Sequence, residues 1–228
     1  MSGFSYPEWI GDVYPKGTRR DGMLAEYAKI FNAVEINMSF RRVPEESTID
    51  RWRDAVGDAF RFTMKANQQI THWKRLVDVG EDVSSFLERA RRLGERLGAV
   101  LFQVPPTMTF DTAVMDTFAA SLPQGSTYAF EPRHPSFLTV DAEDRLREHG
   151  IALCLNDDVF DPSSYRVTGS VAYFRFHRDS YDADAIAERT SLVRSIAEEG
   201  RDVYVFFAHE DNPESVKPAL EMKEALRT

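Results

Sequence analysis

Short apolar runs recur eight times along this chain of 228 residues, and most are separated by longer stretches whose apolar residues return every three or four positions. The runs are Ser2–Tyr6, Ala33–Asn37, Phe60–Ala66, Ala99–Val104, Thr127–Glu131, Ile151–Asp157, Val171–His177 and Asp202–His209. They are largely apolar on both faces, the mark of strands covered on both sides and joined in parallel by crossover helices. The intervening stretches predict helices over Gly22–Phe31, from Pro44 to Val56, and over Asp82–Leu97, Asp111–Leu122, Asp141–His149, Asp182–Glu199 and Pro213–Leu226. Their ends carry matching signals: Pro44 ahead of two glutamates, Gly98, Gly150 and Gly200 as stops, and Asn212 as the last cap. Only 158–169 lacks a clear period and reads as a long loop with at most one helical turn. The alternation predicts a single (β/α)8 TIM barrel over residues 1–228. A doubly wound open sheet is the other arrangement it allows, but no GxGxxG or GxxxxGK[ST] marks a nucleotide site.

With 43% hydrophobic residues the chain can bury a large core, and no linker divides it. A net charge of −9 disfavours nucleic acid and anionic membrane as partners, since both call for a basic field. The single cysteine, Cys154, excludes an internal disulfide and fits a reducing compartment. There is no basic-then-apolar leader, and no apolar run approaches the ~20 residues that span a bilayer. A soluble, cytoplasmic protein is expected.

Barrel chemistry collects where the strands end and the loops to the helices begin. The polar residues at those ends are Glu35 and Asn37, Lys65, Gln103, then Glu131, Arg133 and His134, Asn156 and Asp157, Arg175 and His177, and His209; His72 follows in the loop after Phe60–Ala66. Side chains alternate along a strand, so Glu35 and Asn37 share a side, and Tyr173, Arg175 and His177 share another. The stretch TYAFEPRHPSF, Thr127 to Phe137, is the densest case, because Pro132 stops the strand just as it delivers an acid, a cation and an imidazole. Two readings compete: a functional cup, or a satisfied ion-pair layer that caps the barrel. Leaving Glu35 or Arg175 unpaired in an apolar interior costs several kcal/mol, so either reading demands partners or water.

Taken together, SYPEWIGDVYP, AVEINMSF, RFTMKANQQITH, AVLFQVPP, AFEPRHPSF and AYFRFHRDSY resemble the YecE-like family, otherwise the domain-of-unknown-function 72 family, over nearly the whole chain. The resemblance implies a TIM barrel and carries no assigned activity. It maps recurring polar positions onto Glu35, Asn37, Lys65, Thr71, His72, Gln103, Glu131, Arg133, His134, Arg175 and His177. Two departures accompany it. Only Met1 precedes Ser2 where the pattern has a full strand, which predicts a shortened first strand, and FFAHEDNPES stands where FNN with a glycine loop is usual, placing His209 and Glu210 at an amide position.

Three cations facing one pocket, Lys65, Arg133 and Arg175, would favour a small anionic substrate, bound by phosphate or carboxylate on the arginine forks. Glu131, His134, Glu35 and His72 are the candidate acid and base groups. Asn37, Lys65, Gln103, Arg133, Arg175, His177, Asp157 and His209 are the candidate binding groups. Metal-independent acid–base chemistry without a cofactor is the expectation. Alternatives are a Zn or Mn site built from Glu131, Asp157, His177 and His209, as in barrels of the sugar-isomerase and endonuclease type, a glycosidase pair of Glu35 and Glu131, or a noncatalytic anion binder. A buried Glu131 hydrogen-bonded to His134 or His72 would favour an enzyme over a binder. Cys154 reads as core packing, and Trp9, Trp52 and Trp73 as anchors, Trp9 and Trp73 being the better candidates for a ligand platform.

Overall fold

The computed structural model describes residues 1–159, 161–208 and 213–227. Runs rich in Val, Ile and Phe pair in chain order, each parallel to the next: β1 (Ala33–Ile36), β2 (Arg61–Lys65), β3 (Leu97–Gln103), β4 (Tyr128–Glu131), β5 (Ala152–Asn156), β6 (Val171–Phe176) and β7 (Asp202–Phe207). Seven helices alternate with them: α1 (Met23–Ile30), α2 (Glu46–Asp54), α3 (Gly80–Ala90), α4 (Thr112–Ala120), α5 (Val140–Glu148), α6 (Ala183–Glu198) and α7 (Val216–Ala225). The result is a nearly closed TIM-barrel-like α/β fold. Strand parity sorts the core into two shells. Ala99, Leu101, Ala129, Ala152, Cys154, Val171, Tyr173, Tyr204 and Phe206 pack together inside the barrel, while Val34, Phe62, Met64, Val100, Phe102, Phe130 and Phe174 join the larger layer that includes the helices. Caps form where the sequence supplies an acceptor: Asp111, Thr139 and Asp182 bind the amides of Val114, Ala142 and Ala185.

Three expectations need correction. Ser2–Tyr6 is not a strand, because Gly3 turns at φ 114° and the Tyr6 hydroxyl folds back on Ser2 O at 2.8 Å. The segment still bridges the barrel ends: Ser2 N donates to Phe207 O at 3.3 Å and Glu35 N to Met1 O at 3.2 Å. Seven strands and this stub thus replace the eight strands expected among the described residues. The helix predicted over Asp82–Leu97 ends at Ala90; a tighter turn follows to Arg96, broken by Gly94 at φ 60°. Gly98 therefore lies inside β3 rather than capping a helix, and it is a glycine because a Cβ there would sit 2.5 Å from the Tyr204 hydroxyl. Asn212 lies outside the described residues. The loop 158–169 holds a single short turn, Pro162–Ser164, as expected.

Candidate active site at the strand ends

Most inward residues of the last layer are polar, Phe206 of β7 being the apolar member. Glu35 on β1 has no exposure, and its carboxylate accepts from Tyr173 Oη at 2.6 Å and from Arg175 Nε and Nη2 at 3.0 and 2.9 Å. Arg175 on β6 crosses the barrel with its remaining fork, donating from Nη1 to Glu131 Oε2 at 2.7 Å. Glu131 also accepts from Gln103 Nε2 at 2.8 Å, Asn156 Nδ2 at 2.8 Å and Arg133 Nη1 at 2.9 Å. Because Tyr173 gives its proton to Glu35, Thr63 Oγ1, 2.8 Å away, donates to the phenol oxygen. The floor of the cup is thus a satisfied ion-pair layer, as the competing sequence reading had it.

Above that layer the groups are less committed. Lys65 Nζ donates to Gln103 Oε1 at 2.6 Å and lies 4.2 Å from the centre of the Phe40 ring. The turn Met38–Phe40 brings that ring over the amine, held by Ser39 Oγ at 2.8 Å from Ile36 O and 2.7 Å from Lys65 O. His72 packs edge-on against the same ring at 4.8 Å and shares a hydrogen bond with Thr71 at 2.9 Å. Its short helical turn, Gln69–Trp73, runs into three non-glycine residues with positive φ, Arg75, Leu76 and Asp78. Asn37 Oδ1 is shut away from solvent and accepts no hydrogen bond among the described residues.

The electrostatics divide the same way. Burial pushes the Glu131 carboxyl up, but Arg175 and Arg133 more than offset it and hold the group at about 2. Burial, reinforced by Arg175, takes the Lys65 amine down to about 8 and the His177 imidazole down to about 4. Burial, then Lys65 and Arg75, lower His72 as well. Burial raises the Cys154 thiol well above its usual value, so it is inert packing inside the barrel.

Other predicted residues go elsewhere. Asp157 accepts from His177 N at 2.7 Å and pairs with the buried Arg189 of α6 at 2.9 Å, which locks that helix to the sheet. His134 is occupied locally, accepting from Ser136 N at 3.1 Å, and neither it nor His72 is a hydrogen-bond partner of Glu131. His209 lies outside the described residues. Trp9 is buried among Tyr6, Tyr14 and Tyr27, whereas Trp73 is 68% exposed. Phe40 and Arg189 escaped the sequence reading. Phe40 sits three residues past the strand-end Asn37 and carried no charge to single it out. No three His, Cys, Asp or Glu side chains converge on a metal position among the described residues.

Seven parallel strands, a packed interior and a polar layer at their C-terminal ends define a TIM-barrel-like α/β protein with one cup over its core. The family model described as "Protein of unknown function DUF72" matches residues 1–228, and the chain belongs to that family. It is 32% identical over 151 residues to UPF0759 protein YecE of Escherichia coli strain K12, a match covering 65% of this chain and 52% of that protein. The chain thus spans about half the length of the curated relatives it matches. A DUF72 family protein of Thermotoga maritima MSB8, TM1631, superposes with a TM-score of 0.87 at 26% identity, covering 100% of this chain and 97% of the other. Another, EF0366 of Enterococcus faecalis V583, gives 0.77 at 24% identity over 92% and 96% of the two chains, a likeness of fold alone.

Proposed function

We propose that this protein is an enzyme acting on a small anionic substrate, one bearing phosphate or carboxylate, by metal-independent acid–base chemistry at the strand ends. One observation carries the reading: Lys65 is a part-buried cation with no carboxylate partner among the described residues, beside a layer in which two carboxylates and two guanidiniums already balance. The surplus charge favours an anion. Arg133 supports this, since among the described residues only its Nη1 is engaged and the side chain is partly exposed, whereas both arms of Arg175 are occupied. The titrating group is then Lys65 in place of Glu131, whose carboxylate is fully engaged and stays ionised at neutral pH. Metal independence is supported by the same pairing, because a divalent ion would have to displace guanidiniums from Glu131 and Arg189 from Asp157.

Calorimetric titration with inorganic phosphate tests the reading. Binding to the wild type should weaken at least tenfold in Arg133→Ala and in Lys65→Met, with thermal stability unchanged or higher. Phosphate that fails to bind, or binds both variants as it binds the wild type, overturns the anionic site. Absence of turnover across phosphorylated sugars, nucleotides and esters, with phosphate binding intact, would favour the noncatalytic binder.

A further inference from the structure

Lys65 differs from every other lysine of the chain. Lys29, Lys74 and Lys217 pair with Glu26, Asp82 and Glu214, Lys223 donates to the carbonyl of Ile30, and Lys16 is exposed. Lys65 alone stands at a strand end inside the barrel mouth, walled by an aromatic ring and touching one amide oxygen. That amide is not free to turn. Glu131 only accepts, so Gln103 must present Nε2 to it and Oε1 to Lys65. The site therefore holds an acceptor and a ring face around one nitrogen, an arrangement that stabilises an ammonium and an iminium alike.

We propose that Lys65 is an imine-forming nucleophile and that its substrate is a small carbonyl compound carrying an anionic group, an inference that rests on the anionic reading above. The amine lone pair adds to the carbonyl carbon while the C=O π electrons move to oxygen. One proton passes from nitrogen to that oxygen, the proton that the ammonium first gave up is returned to the resulting hydroxyl, the C–O bond breaks, and water leaves. Carbonyl plus ammonium thus gives iminium plus water, and no oxidant or reductant is needed. His72, packed on the same Phe40 ring and lowered by burial, is placed to relay the proton. The positive φ angles of Arg75, Leu76 and Asp78 show that the loop carrying it is held in a costly conformation, with Leu76 buried and Arg75 donating to Thr107 Oγ1 at 3.1 Å. Availability of the neutral amine follows from its surroundings. With the group at about 8, about one amine in ten is neutral at pH 7, against about one in 3,000 for an ordinary lysine. The charged groups felt by Lys65 are Glu35, Glu131, Arg133 and Arg175, with His72 above. Arg175 and Glu131 keep their charge between pH 6 and 10, so the titration expected there is that of Lys65.

The intact protein is incubated with glyoxylate and sodium borohydride, and the reduced adduct is located by peptide mass spectrometry. One adduct should form on Lys65, at least tenfold faster than on any other lysine, with a rate that rises to a midpoint near pH 8. It should be slowed by phosphate, slower with uncharged glycolaldehyde, and absent from folded Lys65→Arg and Lys65→Met. No adduct, or adducts spread evenly over the six lysines, overturns the nucleophile, and if phosphate still binds, the anionic site survives that failure. A Lys65 adduct that forms equally fast with glycolaldehyde and is indifferent to phosphate overturns the anionic substrate instead.

Discussion

Glu131 receives four hydrogen bonds from Arg175, Arg133, Gln103 and Asn156 and has no exposure, so its worth to the fold depends on its being ionised. Its folded pKa, about 2, lies below its ordinary 4.5, so the stability it contributes is present above pH 4.5 and is lost as the pH falls from there through 2. His177 adds to acid lability over a higher window: held neutral to about 4 against its ordinary 6.5, it loses stability as the pH drops between those values. Glu131→Gln should therefore cost about 3–5 kcal/mol in chemical denaturation at neutral pH, because Arg175 and Arg133 keep buried charge without a counterion. The gap to the wild type should narrow as the pH falls below about 4.5. A gap that stays constant down to pH 2 would show that the carboxylate is not the group being lost. Part of this layer was legible in the sequence: parity set Glu35 with Asn37, and Tyr173 with Arg175 and His177, on shared sides, while Lys65, Gln103 and Glu131 stood out as polar strand ends. Partner choice was not. Glu35 and Arg175 meet across 140 positions of sequence, and nothing local distinguishes the aspartate that Arg189 claims from one that faces a substrate.

At the scale of elements, close backbone approaches decide which glycines can change. At Gly169, just ahead of β6, a Cβ would meet Ala152 N at 2.6 Å and Ala152 Cα at 2.8 Å, both backbone atoms of β5. At Gly98 the obstacle is the far end of the Tyr204 side chain, at 2.5 Å, which can swing. Gly169→Ala should thus lose about 2–4 kcal/mol and Gly98→Ala distinctly less, judged by urea midpoints. The reverse order would mean that the β5–β6 edge yields more readily than the barrel interior. Periodicity located all seven observed strands because most are apolar on both faces and β2 still buries Phe62 and Met64 on one, whereas it overran one helix. Val83, Phe86, Leu87, Ala90, Leu93 and Leu97 keep helical spacing past Ala90, although the backbone turns at Gly94. Spacing reports which residues are buried, and a tight turn packed on the same face buries them equally well. The opening run misled for the opposite reason, since Phe4 and Tyr6 are alternating and apolar yet Gly3 adopts a φ of 114° that no strand continues through.

Over the whole molecule the barrel is tied unevenly, and its weakest line runs between β7 and β1. Six strand pairs are joined by parallel ladders, one of them, β2–β3, with a register shift between Phe62 and Thr63, while this seam is bridged by Met1 and Ser2 with one backbone bond to each side. Beside it opens a cavity of about 730 Å³ lined by Ala33, Arg61, Val203, Val205 and Lys223 among others. It lies toward the strand starts, away from the polar cup. Parity fixes which amides face the gap. Phe207 O accepts from Ser2 and Ala208 N donates to Phe176 O, so odd-numbered residues of β7 turn toward the seam and even-numbered ones toward β6. Val203 and Val205 then present their N–H groups to the cavity side, whereas Tyr204 and Phe206 present theirs to the β6 ladder. Native-state hydrogen exchange should follow this alternation, with Val203 and Val205 exchanging at least a hundredfold faster than Tyr204 and Phe206, and β3 and β4 protected up to the global unfolding limit. Uniform protection along β7 would mean that the seam is paired in solution. In that event the barrel closes by contacts beyond the two that Met1 and Ser2 supply, and its rigidity at the cup would owe as much to β1 and β7 as to the ion-pair layer that spans them.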